Sequence, residues 1–484
     1  MGRANVREAR ATTGMPGGDA SALLLGLCGA ALAGLAICRF PFETPVLLIL
    51  AGFCIAFVIG LNLPALQWLP LGQRSLLVLF ALRPLLDATQ LRQASSKAGL
   101  PLQNAYAIIV VAILLVLWRK SDHSYEFKKA PNSFVLVLLA LALISWLAGG
   151  LSMGANGFVR TAWGLVVALF LGPLFRTERQ IDILIRTAFY SSIFVLLILS
   201  FNLGGGYLGG SWRLGGQYGV PNALAAIAFT LFAYGLYVVG QARTAPRKLV
   251  DLSLLVLLGV VIVLTQSRTV GALMVVSVCA WLWMQGHRRF LYWLGIPLLT
   301  LIIGSGIAAE WRLTSAYSFE DKELSADVVN LTGRTVLWMQ TLGNYADASL
   351  LHKVIGMGWG EVYRKFMLTD VAELSSVTEN SFLWFLAGTG ALGLIAFCAY
   401  LVWMASRAWT AWRTASSKFE RELALLALLA VATFVIEGST TDLVVSPLSS
   451  GYLYAILSIF VCRWLKNRSH GKCDAATGAL SDSE

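Results

Sequence analysis

The sequence predicts an all-α, polytopic integral membrane protein, and three observations carry that prediction. Of its 484 residues 57% are hydrophobic and only 13% are charged, so most of the chain is unsuited to water. Apolar runs near the ~20-residue length that crosses a bilayer recur from Ala22 to Leu465. Lys and Arg crowd alternate loops between those runs. Backbone groups in hydrocarbon must pair within their own segment, which makes each such run a helix.

Windows of roughly 19 residues give about fourteen spans, with a range of 12–14. They fall near 21–38, 45–63, 74–88, 102–118, 132–150, 157–175, 181–201, 219–240, 249–266, 269–285, 289–307, 380–404, 422–437 and 446–465. The first follows Arg3, Arg7 and Arg10 like a signal peptide, but no small-residue cleavage site comes after it, so it reads as a retained helix. The third is interrupted by Arg83, Pro84 and Asp87; the i, i+4 spacing of Arg83 and Asp87 makes them a mutually neutralising pair. If that segment is re-entrant, the orientation upstream of it inverts. The organisation is a tail over 1–20, a membrane domain over 21–465 and a second tail over 466–484. Seven cysteines, mostly inside apolar runs, form no disulfide or metal framework, and no metal or cofactor motif stands in a supporting context.

Net charge is +11, yet the distribution argues against nucleic acid as a partner. Arg119 and Lys120, Arg176 and Arg179, Arg243 and Arg247, Arg288 and Arg289, Arg407 and Arg413, and Arg463 and Lys466 all fall on the side of the N-terminus. The positive-inside rule makes that side cytoplasmic, with both termini on it. The opposite side holds one long loop, 308–379, with six basic and ten acidic residues. On a bacterial reading it faces the periplasm from the inner membrane. A loop of that length in a compact helical protein is usually functional. Within it, "GRTVLWMQTLGNY" has the apolar spacing of a short amphipathic helix at the interface.

Three arginines stand on the outer side, against the charge bias: Arg213 in "GGGYLGGSWRLGGQYGVPN", Arg268 in "LTQSRTVGAL" and Arg334 in "TGRTVLW". Planar guanidinium forks suit a diphosphate, and glycines around Arg213 would let backbone N–H groups approach the same anion. Each alone also reads as an interfacial arginine snorkelling to headgroups. The stretch "SVTENSFLWFL" opens the helix after the long loop. Glu379 there reads as a general base, and Asn380 as a residue that orients it or the substrate. Ser376 and Glu379 also have capping-box spacing, a role compatible with catalysis. His352 is the one external histidine, and it reads as solvated.

Taken in order, "RLGGQYGVPNALA", "VLTQSRTVGALMV", "LTGRTVLWMQTL", "VIGMGWGEVYRKF" and "VTENSFLWFLAGTGALGL" resemble the O-antigen ligase/polymerase (Wzy-type) superfamily of polytopic glycosyltransferases. The resemblance covers roughly 210–400, while the first 200 residues match only in hydropathy. It implies a metal-independent, cofactor-free GT-C-like enzyme acting on undecaprenyl-diphosphate-linked oligosaccharide donors and acceptors. A flippase and a chain-length regulator would be its protein partners. Carried over residue by residue, Arg213 and Arg334 would hold the diphosphate with Arg268 in support; Glu379 joins the two arginines as the candidate catalytic set, and Asn380, Asn222 and Trp338 join Arg268 as candidate substrate-binding residues. The ligase branch places a histidine at the start of the post-loop helix, whereas this chain has Thr378-Glu379-Asn380. That departure resembles the polymerase branch, which joins repeat units into O-antigen, capsule or exopolysaccharide. Transfer to lipid A core by a ligase is the alternative. A flippase or transporter is the alternative from another class, although no internal repeat supports it.

Overall fold

The computed structural model describes residues 62–63, 66–93, 102–120, 130–148, 151–202, 205–208, 211–214, 221–287, 289, 329–359, 380–440 and 450–465. Among them the helices are α1 (Leu71–Gln93), α2 (Leu102–Lys120), α3 (Ala130–Ala148), α4 (Leu151–Leu174) and α5 (Glu178–Asn202). A hairpin of β1 (Gly205–Leu208) and β2 (Ser211–Leu214) follows. Then come α6 (Pro221–Gly240), α7 (Ala245–Thr265), α8 (Arg268–Met284), α9 (Val329–Ala346), α10 (Leu350–Ile355), α11 (Ser381–Thr414), α12 (Lys418–Ile436) and α13 (Ser450–Leu465).

Among the described residues the apolar runs do form helices, including the interrupted third one, which continues through Pro84 as α1. The runs near 21–38, 45–63 and 289–307 lie outside the described residues. Three described helices are long and apolar enough to cross a membrane: Gly157–Leu174, Ala245–Thr265 and Ser381–Thr414. Five shorter apolar helices accompany them. Their outward faces are those of a membrane protein. On α7 the buried residues Asp251, Leu255, Leu258, Val261, Ile262 and Thr265 make one stripe, while Val250, Val256 and Val263 are exposed. Such a face would be untenable in water but suits acyl chains.

The all-helical expectation holds, with one short addition. Residues 205–208 and 211–214 pair as an antiparallel hairpin, with Gly206 opposite Arg213 and Tyr207 opposite Trp212. The two residues between the strands are Gly209 and Gly210, a pair suited to a two-residue hairpin loop, so a stretch that reads as a glycine-rich loop gains a fixed register.

Aromatic rings and buried hydroxyls knit the core. The Tyr452 hydroxyl lies 2.7 Å from Ser192 Oγ and donates to the Phe80 carbonyl at 3.0 Å, while Tyr234 donates to the Tyr452 carbonyl at 2.9 Å. These contacts join α1, α5, α6 and α13. Arg83 is buried, with its guanidinium 4.7 Å from the Tyr106 ring centre and 5.5 Å from that of Trp163. The charge in α1 thus rests on aromatic faces of α2 and α4, an arrangement that the i, i+4 spacing of Arg83 and Asp87 did not suggest. The Asp87 side chain lies outside the described set.

Two ends of the bundle are defined by contacts. At the first, Gln285 donates to Glu422, Gly240 lies against the same carboxylate, and Tyr237 meets Phe419 edge-on. Arg463 pairs there with Glu178 at 2.5 Å and Glu420 at 3.4 Å. The C-terminal ends of α6, α8 and α13 therefore meet the N-terminal ends of α5 and α12. At the other end, the Ser381 N–H donates to the Gly438 carbonyl at 2.7 Å, joining the start of α11 to the end of α12.

Candidate active site

The second end gathers nearly every segment that the sequence singles out. Asn222 is the second residue of α6 and Arg268 the first of α8. Both helices run from this end to the Glu422 end. The hairpin links the end of α5 to the start of α6 and packs against α7. Arg213 takes the register position opposite Gly206, one residue before the buried Leu214. The side chains of Arg213 and Arg334 are outside the described set, and so is the whole of Glu379.

Arg268 owes its place to a tight reversal. Gln266 caps α7 in the left-handed region, at φ 53°, and is the one non-glycine residue with positive φ among those described. Its N–H bonds the Val263 carbonyl at 3.0 Å, and the Ser267 N–H reaches Thr265 Oγ1 at 3.3 Å. Two residues thus turn the chain back, and Arg268 emerges exposed. A non-glycine residue held in this region costs roughly 1 kcal/mol or more, and such strain clusters at functional sites.

The predicted amphipathic segment is helical and lies within α9, which packs against α11. Helical spacing puts Arg334, Trp338, Thr341 and Tyr345 on one face, and Thr341 is buried. Met339 and Leu342 are exposed on another face. The Tyr345 hydroxyl donates to the Lys353 carbonyl at 2.6 Å and fixes α9 to α10. His352 is exposed, as its sequence setting implies.

Beyond α10 the chain does not stay outside the bundle. Gly356, Met357, Gly358 and Trp359 are buried, and the Met357 N–H donates to the Ala387 carbonyl at 2.9 Å. Trp359 stacks on Trp384 with ring centres 5.8 Å apart and planes 15° from parallel. Trp384 in turn donates to Thr161 Oγ1 at 3.1 Å. Part of the long loop is therefore wedged between α4 and a break in α11. At Gly390 the helix has φ 70° and ψ −172°.

Asn380 is the cap of α11. Its side-chain oxygen accepts from Phe382 N at 2.9 Å and Leu383 N at 3.1 Å, and its amide nitrogen donates to the Ser439 carbonyl at 2.8 Å. The helix therefore starts at Ser381, later than the Ser376–Glu379 spacing suggests, and Ser376 and Glu379 lie outside the described residues. Glu437, buried at the adjoining end of α12, adds a carboxylate to this region.

One basic residue here escaped the sequence reading. Arg160 lies in α4, in register with Gly157 and Thr161, which pack against Trp359 and Trp384. The signal was present: an arginine near the outer start of an apolar run, of the same kind as Arg213 and Arg268.

Residues 253–398 match the family model described as O-Antigen ligase. Over this segment the chain is similar to that family. The segment runs from α7 through the break in α11 and contains Arg268, Arg334, Trp338, Glu379 and Asn380, while Arg213 and Asn222 fall before it. No curated protein matches the chain. The family match supports a membrane enzyme of the O-antigen ligase or polymerase type and gives no support to a flippase.

Proposed function

We propose that this protein is a polysaccharide polymerase of the inner membrane. It joins lipid-linked oligosaccharide repeat units at the periplasmic face, with undecaprenyl diphosphate as the leaving group. The observation that carries this reading is the convergence, at one end of the bundle, of the segments bearing Arg213, Arg268, Arg334 and Asn380. The basic loops around Arg243, Arg247 and Arg463 belong to the opposite end, as a cytoplasmic face requires.

In the reaction an acceptor hydroxyl attacks the anomeric carbon of the donor sugar. A new C–O bond forms, and the bond to the diphosphate oxygen breaks with its electron pair leaving on the diphosphate. Glu379 takes the hydroxyl proton. Arg213 and Arg334 neutralise the charge that grows on the departing diphosphate, and Arg268 supports them. Guanidiniums do for this leaving group what a metal would otherwise do, and a single attack inverts the anomeric centre. Trp338 and Asn222 line the approach. Asn380 itself carries the helix cap.

A series at the start of α11 separates the roles. Asn380→Ala will lower stability by about 1–2 kcal/mol through the lost cap, and Ser376→Ala will leave it unchanged. Glu379→Gln will cut turnover without moving the melting temperature. Equal, mild effects of the Ser376 and Glu379 changes on turnover would remove the base.

The family description favours a second reading, transfer of finished glycan to lipid A core by a ligase. The Thr378-Glu379-Asn380 sequence, in place of the histidine of the ligase branch, supports the polymerase. The glycans of a deletion strain decide between them. A polymerase loss leaves single repeat units exposed on the outer leaflet. A ligase loss leaves complete polymer on the lipid carrier, and units held on the inner leaflet would point to a flippase.

A further inference from the structure

Arg160 is a charge inside the bundle without a counterpart in the mechanism above. Helical register sets it between Gly157, Trp163 and Gly164, all of which are buried, and so turns it toward the protein interior and away from lipid. Each neighbour marks a different wall. Gly157 lies against Trp359 and Trp384, Gly164 against the Tyr454 ring of α13, and Trp163 beside Gly451 at the start of α13. The side chain therefore emerges where the start of α11, the start of α13 and the wedged 356–359 segment come together. Its Nε is buried and has no hydrogen-bond partner among the described residues. A guanidinium held in an apolar bundle with an unused donor is costly, and such residues mark ligand paths by default.

We infer that Arg160 is a further anion-binding residue, which holds a phosphate of the lipid-linked diphosphate from the α4 side of the site. This rests on the polymerase or ligase reading above. It makes α4, which precedes the family-matched segment, a wall of the binding site. The guanidinium offers its unused Nε–H to one phosphate oxygen, and the planar fork allows a second bond from the same side chain.

The test uses the full-length protein in nanodiscs, with inorganic pyrophosphate as the probe and a polyprenyl-diphosphate oligosaccharide as the substrate. Arg160→Ala and Arg160→Gln will weaken pyrophosphate inhibition by roughly ten- to a hundredfold, the range for one lost charge-assisted contact. KM for the lipid substrate will rise by a similar factor, with a smaller change in kcat. Arg160→Lys keeps the charge but loses the fork, so it will recover part of the affinity. This variant also decides the matter if the other two fail to insert. Unchanged inhibition and KM in an inserted variant of any of the three overturns the inference. A wild-type protein that neither responds to pyrophosphate nor consumes the lipid substrate overturns the functional reading itself, a result distinct from a failure confined to Arg160.

Discussion

Replacing Arg334 with alanine will abolish polymer while leaving the protein inserted and folded. The expected loss in turnover is at least about 100-fold, the scale for removing one preorganised donor from a developing negative charge. Arg334 lies on the face of α9 that carries Trp338 and the buried Thr341, on a helix packed against α11. α9 is further tied to α10 by the Tyr345 hydroxyl. A guanidinium mounted on so braced an element is paid for in the folded state and needs little reorganisation when the diphosphate departs. Thr341 is buried in the packing of α9, and the melting temperature of Arg334→Ala should move little. The check is in vivo polymer length by gel, beside the amount of protein in the membrane fraction. Wild-type polymer lengths from an inserted Arg334→Ala protein would remove Arg334 from the mechanism. Arg334→Lys should recover little, since a point charge does not reproduce a two-pronged contact.

The helices were legible because a span must be both long and apolar, and those two demands leave little else for a run such as Ala245–Thr265 to be. The bias of Lys and Arg toward one end likewise led the sequence to assign the candidate segments to the other. What stayed hidden depends on contacts between distant residues. Nothing local in "VIGMGWG" announces that Trp359 will stack on Trp384, some 25 positions later in the chain. The hairpin reads as loop because its glycines carry no strand propensity, and only the pairing of 205–208 with 211–214 fixes it. Arg83 and Asp87 fit a familiar helical pair, and nothing in that spacing announces that Arg83 also lies over rings supplied by two other helices. The Ser376–Glu379 spacing fits a capping box, yet Asn380 accepts two hydrogen bonds as the cap and donates a third to Ser439, and local spacing cannot weigh that against a start four residues earlier.

Gly356→Ala will cost of order 2–6 kcal/mol of stability and will cost activity with it. At φ 95° and ψ 156° Gly356 occupies a region open essentially to glycine alone, and forcing another residue there costs roughly 1–3 kcal/mol. The added Cβ would also run into the Gly388 carbonyl. That obstacle is backbone inside α11 and cannot swing aside, so overpacking adds roughly 1–3 kcal/mol. The contact is reciprocal: a Cβ on Gly390, at φ 70°, would strike the Val354 carbonyl. Two backbones thus touch where both lack side chains, and the hydrogen bond from Met357 to Ala387 closes the seam. Opening that seam frees Trp359 from Trp384 and loosens the first turns of α11, which Asn380 caps. Gly343→Ala is the matched control, because Gly343 lies inside α9 with open space around it. There the change should be neutral or stabilise by about 0.5–1 kcal/mol. Thermal unfolding of the two purified variants in detergent, compared with polymer output, checks the pair. If Gly356→Ala melts with the wild type, the wedge is not rigid, and the break in α11 must be held by something other than this contact.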